Sequence, residues 1–330
     1  MIPRLLRKTP TRPDLIPYEM FDADRTASEV HAAKKLEAMY HKGQDKVWDG
    51  KALLAELVER HGGVQLPQEQ FEPLSRLFSV IFWGELAAWK IAAELALELE
   101  PLEAKMAATS QAHDEARHFY VMHDYLELLG YTPEPLLPSA ARVLDEVVGA
   151  NNLAKKLLGM HLMVEPIALT LFQVARQQRI EPVLCDLLKF YERDEARHVA
   201  LGVHYLPQLI AKMNPLEIAD LWGWQLRMFM IQLDGLREME SDIRAMGMHP
   251  RDVLRLGQAK QLRAAELMNQ ELGIDTPVLR AFFERVIEFR MELDFPPDGV
   301  TRRRDKLRRA VNGMVNGPAE RVDGSLAIHG

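Results

Sequence analysis

The sequence predicts an all-α protein centred on a four-helix bundle, in which one helix pair is used twice and further helices lie on both flanks. Apolar segments with helical periodicity, separated by proline and glycine, run through the 330 residues, which are 48% hydrophobic. The pentapeptide Asp-Glu-Ala-Arg-His occurs at 114–118 and again at 194–198, an offset of 80 residues. These observations together indicate an internal duplication.

Each copy of the pentapeptide places one glutamate and one histidine on the same face of its helix. Glu115 precedes His118 by three residues, and Glu195 precedes His198 by the same spacing. On an α-helix this spacing turns the two side chains by about 60° and separates them by roughly 4.5 Å along the axis. Both side chains can therefore reach a single metal ion.

A further glutamate stands 30 residues before each ligand pair, Glu85 before Glu115 and Glu165 before Glu195. Burying four carboxylates in one helical core is costly unless cations compensate their charge, and two divalent cations do so. Oxygen and nitrogen ligands without thiolates suit iron or manganese. A single Glu-x-x-His is common on solvated helices, but the duplicated set predicts a dinuclear metal site.

This constellation resembles the ferritin-like proteins that hold two iron or two manganese ions, in which two helices each supply a glutamate and two supply Glu-x-x-His. The resemblance covers about residues 68–206 and implies a ferritin-like four-helix bundle. The implied metal ligands and catalytic residues are Glu85, Glu115, His118, Glu165, Glu195 and His198. Two Fe ions are expected, and a Mn/Fe or Mn/Mn pair suits the same ligands.

The motif Asp-Glu-x-Arg-His is also similar to that of the hydroxylase subunit of bacterial multicomponent monooxygenases. In that family the aspartate beside each ligand glutamate supports the histidine of the other helix. The implied pairs are Asp114 with His198 and Asp194 with His118. Arg117 and Arg197 would then brace these aspartates around the cofactor. The alternative is that all four are ordinary exposed charges.

The resemblance implies a monooxygenase or oxidase that activates dioxygen to oxidise or hydroxylate a small, apolar organic substrate. Ribonucleotide reductase subunits have a tyrosine where this chain has Met122, and another near the C-terminus, whereas the last tyrosine here is Tyr205. Storage ferritins are much shorter, and rubrerythrins and acyl-carrier-protein desaturases prefer Glu-Glu-x-x-His. The multicomponent hydroxylases place a threonine where Leu169 stands. An iron-handling ferroxidase or metal-binding protein, and a purely structural bundle, remain alternatives.

Two residues of the helix that carries Glu165 have unusual positions. Pro166, directly after Glu165, removes a backbone N–H and is expected to kink or unwind the helix at the ligand. His161, one turn before Glu165, is either a partner of the metal cluster or a satisfied core histidine. The substrate cavity is expected one turn either side of the terminal ligands, lined by Ile81, Phe82, Trp89 and Leu169. The alternative is that these four residues only pack the core.

We divide the chain into an N-terminal arm with accessory helices (1–66), the metal-binding bundle (67–207), accessory helices completing the same domain (208–295) and a basic C-terminal tail (296–330). The tail is expected to be solvated, and docking of an acidic electron-transfer partner is a second interpretation. The helix after Asn214-Pro215 is expected to cover the bundle or to form a dimer face.

The composition of the chain limits the kinds of partner and compartment that we expect. The net charge of −7 argues against nucleic-acid binding. The single cysteine, Cys185, excludes an intrachain disulfide and a four-cysteine iron site in this sequence, and it fits a reducing cytoplasm. No secretory segment is expected after Met1, and no run is expected to reach the length of a membrane span. We expect a cytoplasmic protein and a homodimer, and the resemblance implies an external electron donor, a reductase or ferredoxin.

Overall fold

The computed structural model describes residues 33–131, 135–273 and 277–318, together with residues 322 and 324. These residues form helices and their connections, and the described part of the chain contains no β-strand. The prediction of an all-α protein is therefore confirmed. The first 32 residues of the expected N-terminal arm lie outside the described residues.

The helices follow one another with short connections. In chain order they are α1 (Lys34–Asp45), α2 (Gly50–His61), α3 (Phe71–Glu98), α4 (Leu102–Leu128), α5 (Pro138–Val148), α6 (Leu153–Gly159), α7 (Glu165–Gln177), α8 (Pro182–Ile210), α9 (Pro215–Glu238), α10 (Glu240–Ala245), α11 (Pro250–Leu272), α12 (Pro277–Asp294) and α13 (Arg303–Asn316). Proline occupies a first-turn position in several of them, where its missing N–H would be unpaired anyway.

Four helical segments form the central bundle: α3, α4, the α6–α7 segment and α8. Helices α3 and α4 make the most extensive contact in the molecule, and α8 packs against both α4 and α7. The bundle is covered by α1 and α2 on the α4–α8 side and by α11 on the α7–α8 side. Two apolar clusters fill its interior, one containing Ile91 and Leu95 of α3 and the other containing Leu77 and Phe78. Glu85 lies between these two stretches of α3.

A defect interrupts the third core helix at the predicted position. Residues Met160–Val164 form a π-helical turn between α6 and α7, directly before Glu165. Pro166 lacks the N–H that a regular helix requires there, which accounts for the irregular turn. Helix α8 approaches this turn closely at Gly202, where a Cβ atom would lie 2.5 Å from the Cβ of His161. Only a residue without a side chain allows this contact.

The C-terminal region differs from the solvated tail expected from the sequence. Residues Arg303–Asn316 form helix α13, which packs on α12. Ala310 is fully buried in this contact, and Arg309 pairs with the buried Glu292, which also binds Arg251. The segment is thus a docked helix rather than a free tail, although ten of its fourteen residues remain exposed to solvent. The division into domains stays a prediction.

One segment also corrects the expectation that no run is long enough for a membrane span. Leu153–Gln177 meets the length and composition of a membrane helix, and it is the one segment of the described residues that does. Within the fold, 78% of its apolar window is buried, as in the core helix of a bundle. The segment contains His161 and Glu165, and the burial of these two polar side chains indicates that it is a core helix of this fold.

Candidate metal centre

Six side chains from four helices meet at the centre of the bundle. Glu85 comes from α3, Glu165 from the start of α7, and the two Glu-x-x-His pairs from α4 and α8. They form two groups whose potential ligand atoms lie within 4.8 Å of one another. The first group is Glu85, Glu115, His118 and Glu195, and the second is Glu115, Glu165, Glu195 and His198. None of the six is more than 4% exposed. Since Glu115 and Glu195 belong to both groups, they are placed to bridge two metal ions.

The two imidazoles present the same nitrogen to the carboxylates. His118 Nδ1 lies 3.3 Å from Glu85 Oε2 and 3.1 Å from Glu195 Oε1. His198 Nδ1 lies 3.0 Å from Glu115 Oε1 and 3.2 Å from Glu195 Oε2. Each Nδ1 atom is thus the nitrogen available to a metal ion, and each Nε2 atom faces outward.

The outward nitrogens contact aspartates of the opposite repeat. His118 Nε2 lies 3.3 Å from Asp194 Oδ2, and His198 Nε2 lies 3.4 Å from Asp114 Oδ2. The arginines of the two pentapeptides cross between the repeats in the same way. Arg117 donates to Asp194 at 3.0 Å, and Arg197 donates to Asp114 at 2.7 Å. Such outer carboxylates fix the ring orientation of a metal-binding histidine.

Trp48, in the connection between α1 and α2, completes one of these contacts and was not found by the sequence analysis. Its Nε1 donates to Asp194 Oδ2 at 2.7 Å, and the guanidinium of Arg117 lies 4.6 Å from the centre of its ring. Although burial acts in the opposite direction, His118, Arg197 and Trp48 hold the pKa of Asp194 well below its usual value. No local pattern marks this tryptophan, because it lies outside the repeated helices.

Gln111 is a second residue that the sequence analysis missed. Its Nε2 donates to Glu115 Oε1 at 3.0 Å and to Glu165 Oε1 at 2.9 Å, while its Oε1 lies 2.9 Å from His161 Nε2. Burial and the nearby His198 lower the pKa of His161 to about 3, so the neutral ring donates to Gln111. His161 is therefore a hydrogen-bond partner at the edge of the cluster. Gln111 stands four residues before Glu115 and so shares its helix face, and this spacing is the sequence feature that could have identified it.

The two halves of the site differ at this position. The residue that corresponds to Gln111 in the second repeat is Tyr191, 80 residues later. Its ring stacks on His118 with centroids 4.2 Å apart, and its hydroxyl donates to the carbonyl oxygen of His118 at 2.6 Å. One half of the centre is thus bordered by an amide and the other by an aromatic ring.

Four of the six side chains have a raised pKa. Burial and the neighbouring Glu195 raise the pKa of Glu85 well above its usual value, and burial does the same for Glu165. Burial acts against protonation of His118 and His198, but the surrounding carboxylates outweigh it and raise the pKa of both rings. Burial acts to raise the pKa of Glu115 as well, but His198 and His118 lower it well below its usual value, so protons neutralise only part of the acidic cluster.

The residues present fit two metal ions. Glu115 Oε2 and Glu165 Oε2 are buried and have no hydrogen-bond partner, which is costly for a carboxylate unless a cation binds it. Carboxylate oxygens and imidazole nitrogens without thiolates are the ligands that iron and manganese accept. The six residues that would hold the ions are the two overlapping groups described above.

A cavity of about 150 Å³ opens beside the four glutamates. Its wall is mainly apolar and comes from α3, α5, α7, α9 and α11, with Ile81, Gly84 and Ala168 among the residues that line it. Of the four residues expected to line a substrate cavity, Ile81 does so. Trp89 is 41% exposed, and Phe82 stacks on Phe119 instead. Leu169 belongs to the apolar core, so these three expectations were wrong.

No protein-family model and no curated protein sequence matches this chain. Among solved structures, the chain is similar to a point mutant of an R2-like ligand-binding oxidase with aerobically reconstituted Mn/Fe cofactor. The two chains share 16% sequence identity and superpose with a TM-score of 0.48, and the match covers 83% of this chain and 98% of that chain. An R2-like ligand-binding oxidase with aerobically reconstituted metal cofactor after photoconversion shows the same identity and coverage and a TM-score of 0.47.

The assignment of the site rests on this chain's own side chains. Two helices supply one glutamate each, two supply Glu-x-x-His, and the two resulting groups share two carboxylates in the core of one bundle. That is the metal-site architecture of the ferritin-like di-metal carboxylate proteins.

Proposed function

We propose that this protein is a di-metal oxidase that activates dioxygen to oxidise or hydroxylate a small, apolar organic molecule. The observation that supports this most directly is that the four glutamates of the metal centre also line an apolar cavity. Two Fe ions are the proposed cofactor, and a Mn/Fe or Mn/Mn pair suits the same ligands. When bound, the metals supply electrons to dioxygen and stabilise the negative charge that develops on it.

The protein's own residues would set the geometry of this chemistry. Glu115 and Glu195 would hold the two ions close together, and Glu85 and Glu165 would each complete the shell of one ion. The crossed aspartate and arginine contacts keep the imidazoles oriented, so that little reorganisation is needed during reaction. The apolar cavity would exclude water and position the substrate beside the metals.

Iron handling without an organic substrate is the alternative function. An iron-storing or ferroxidase protein needs a polar route by which iron leaves the centre. The main cavity at this centre is lined chiefly by apolar side chains, which suits an organic molecule better than an aquated ion. This observation favours oxidation of an organic substrate.

The distinguishing experiment is an oxygen pulse. The protein is loaded under argon with two Fe²⁺ per chain, mixed with ethylbenzene as an apolar probe and a reductant, and exposed to ¹⁸O₂. We expect oxygen consumption together with a probe oxidation product, containing ¹⁸O if hydroxylation occurs, measured by mass spectrometry. Oxygen consumption with no oxidised probe, together with growth of ferric mineral when excess Fe²⁺ is added without the reductant, would favour iron handling and contradict the proposal.

Ligand variants test the centre itself. Because Glu115 belongs to both metal groups, Glu115→Ala should lose dinuclear binding, as measured by metal content per chain after loading. The control is Glu59→Ala, which alters an exposed glutamate of α2 that belongs to neither metal group. Retention of two metal ions by Glu115→Ala would contradict the ligand assignment.

Partners and location remain part of the proposal. One cysteine cannot hold an iron–sulfur cluster in this sequence, so the electrons would come from an external reductase or ferredoxin. We further propose a homodimer located in the cytoplasm, with a small-molecule substrate and dioxygen as ligands and without nucleic-acid or membrane partners. Sedimentation of the purified protein would test the oligomeric state.

A further inference from the structure

A glutamine in the wall of the cavity beside the four glutamates has a buried hydrogen-bond donor without a partner. Gln232 of α9 lines the same cavity as the four glutamates. Its Nε2 atom is buried and has no hydrogen-bond partner, whereas its Oε1 accepts a hydrogen bond from Gln261 Nε2 at 3.1 Å. A buried donor of this kind costs stability unless an acceptor reaches it.

The orientation of the Gln232 amide follows from its neighbours. Gln261 Nε2 also donates to the backbone carbonyl of Met163 at 2.8 Å. A carbonyl oxygen can only accept, so the amide of Gln261 must turn its nitrogen towards this side. Gln232 must then offer its oxygen to Gln261, which leaves the nitrogen of Gln232 as the free group. Exchanging the oxygen and nitrogen of Gln232 would place two N–H donors against each other, and exchanging those of Gln261 would place its oxygen against the carbonyl oxygen of Met163.

The other residues around the cavity define what can pair with this donor. Most of the wall is apolar, including Leu233 and Leu236 on the same helix as Gln232. None of the described lining residues is a lysine, arginine or histidine, so the cavity offers no cationic side chain for a carboxylate. A neutral acceptor satisfies Gln232 without burying a charge that none of the described lining side chains would pair.

We infer that the substrate of the proposed oxidase is an apolar molecule with one neutral hydrogen-bond acceptor, a ketone, aldehyde or amide oxygen, which binds Gln232 Nε2. This inference rests on the proposed function and narrows its substrate class. The cavity of about 150 Å³ suits a body about the size of one aromatic ring. Hydrogen bonds connect Gln232 to Gln261 and Gln261 to the carbonyl of Met163, two residues before Glu165. The acceptor end of the substrate therefore docks on the side of the cavity that carries the metal ligand Glu165.

A matched pair of probes tests the inference. Acetophenone and α-methylstyrene have nearly the same shape, but the first carries a carbonyl oxygen where the second carries a methylene group. Their dissociation constants are measured by equilibrium dialysis under argon, so that no oxygen chemistry is involved. We expect Gln232→Met to shift the ratio of the two constants about tenfold against acetophenone, the effect of one lost hydrogen bond. Gln225→Met, on the same helix but lining a different groove, should leave the ratio unchanged.

A measurement on the unmodified protein keeps the test independent of variant folding. The infrared carbonyl stretch of bound acetophenone should lie at lower frequency than in an alkane, because a hydrogen bond weakens the C=O bond. An alkane-like frequency, an unchanged ratio in Gln232→Met or no binding of acetophenone would each overturn the inference. Failure of the oxygen pulse with intact probe binding would instead contradict the proposed function alone.

Discussion

Asp194 Oδ2 lies 3.3 Å from His118 Nε2, although the two residues belong to different copies of the repeated helix pair. The reciprocal contact joins Asp114 to His198 at 3.4 Å. Each histidine is therefore oriented by the opposite repeat, and the site is complete only when the two helix pairs are docked. This arrangement couples formation of the metal centre to formation of the bundle core.

Removing the charge of one outer aspartate should weaken metal binding while leaving all six proposed ligands in place. We expect Asp194→Asn to lower metal affinity by about 10–100-fold, the usual effect of losing an outer carboxylate on a ligand histidine. Asp114→Asn should act similarly, because its contact is the mirror of the first. Competition with a chelator measures the affinity. Asp252→Asn, at an exposed position of α11, is the control, and an unchanged affinity in Asp194→Asn would contradict the role of this contact.

Gln111→Leu should affect the two metal positions unequally. Gln111 donates to Glu115 and Glu165, and of these only Glu165 belongs to a single metal group. We expect metal affinity at the position formed by the group that includes Glu165 to fall about 10–100-fold. Affinity at the other position should change less. A two-step Mn²⁺ titration resolves the two sites, and Thr109→Val on the exposed face of α4 is the control. Equal losses at both positions would show that Gln111 does not orient Glu165 selectively.

Metal binding should release protons. Burial raises the pKa of Glu85 and Glu165 in the metal-free protein, and the surrounding carboxylates raise the pKa of His118 and His198 despite burial. These groups hold protons that a metal must displace, so affinity should rise with pH and fall as pH is lowered. The change is about tenfold per pH unit for each proton released. Calorimetric Mn²⁺ titrations in buffers with different ionisation enthalpies count the protons, and a pH-independent affinity would contradict this prediction.

Pro166→Ala should separate metal binding from reactivity. With an N–H restored, the π turn at Met160–Val164 can relax towards a regular helix. We expect the free energy of unfolding to rise by up to about 3 kcal/mol. Metal content should stay unchanged and oxidation of bound Fe²⁺ by dioxygen should slow, because Glu165 would lose freedom to move. Stopped-flow absorbance measures the rate. Pro207→Ala, a proline inside α8, is the control, and an unchanged rate in Pro166→Ala would rule out a role for the turn.

The extent of sequence-based prediction differed between the centre and its surroundings. The helical class and the defect before Glu165 were predictable, because helical periodicity and the position of a proline are local properties. Gln111 and Trp48 were missed, since their importance comes from contacts with partners far away in the chain. Trp89 was assigned to the wrong environment for the same reason, because periodicity alone does not say which face of a core helix a neighbour covers.

The sequence by itself determined that a glutamate and a histidine share one helix face twice, because that relation depends only on the helical repeat. Only the tertiary structure decided that all six groups meet in two overlapping sets, that each imidazole is held by an aspartate of the other repeat, and that Gln232 keeps a free donor in the cavity. These relations depend on how separate helices pack, and packing is set by the sum of many side-chain contacts across the whole chain.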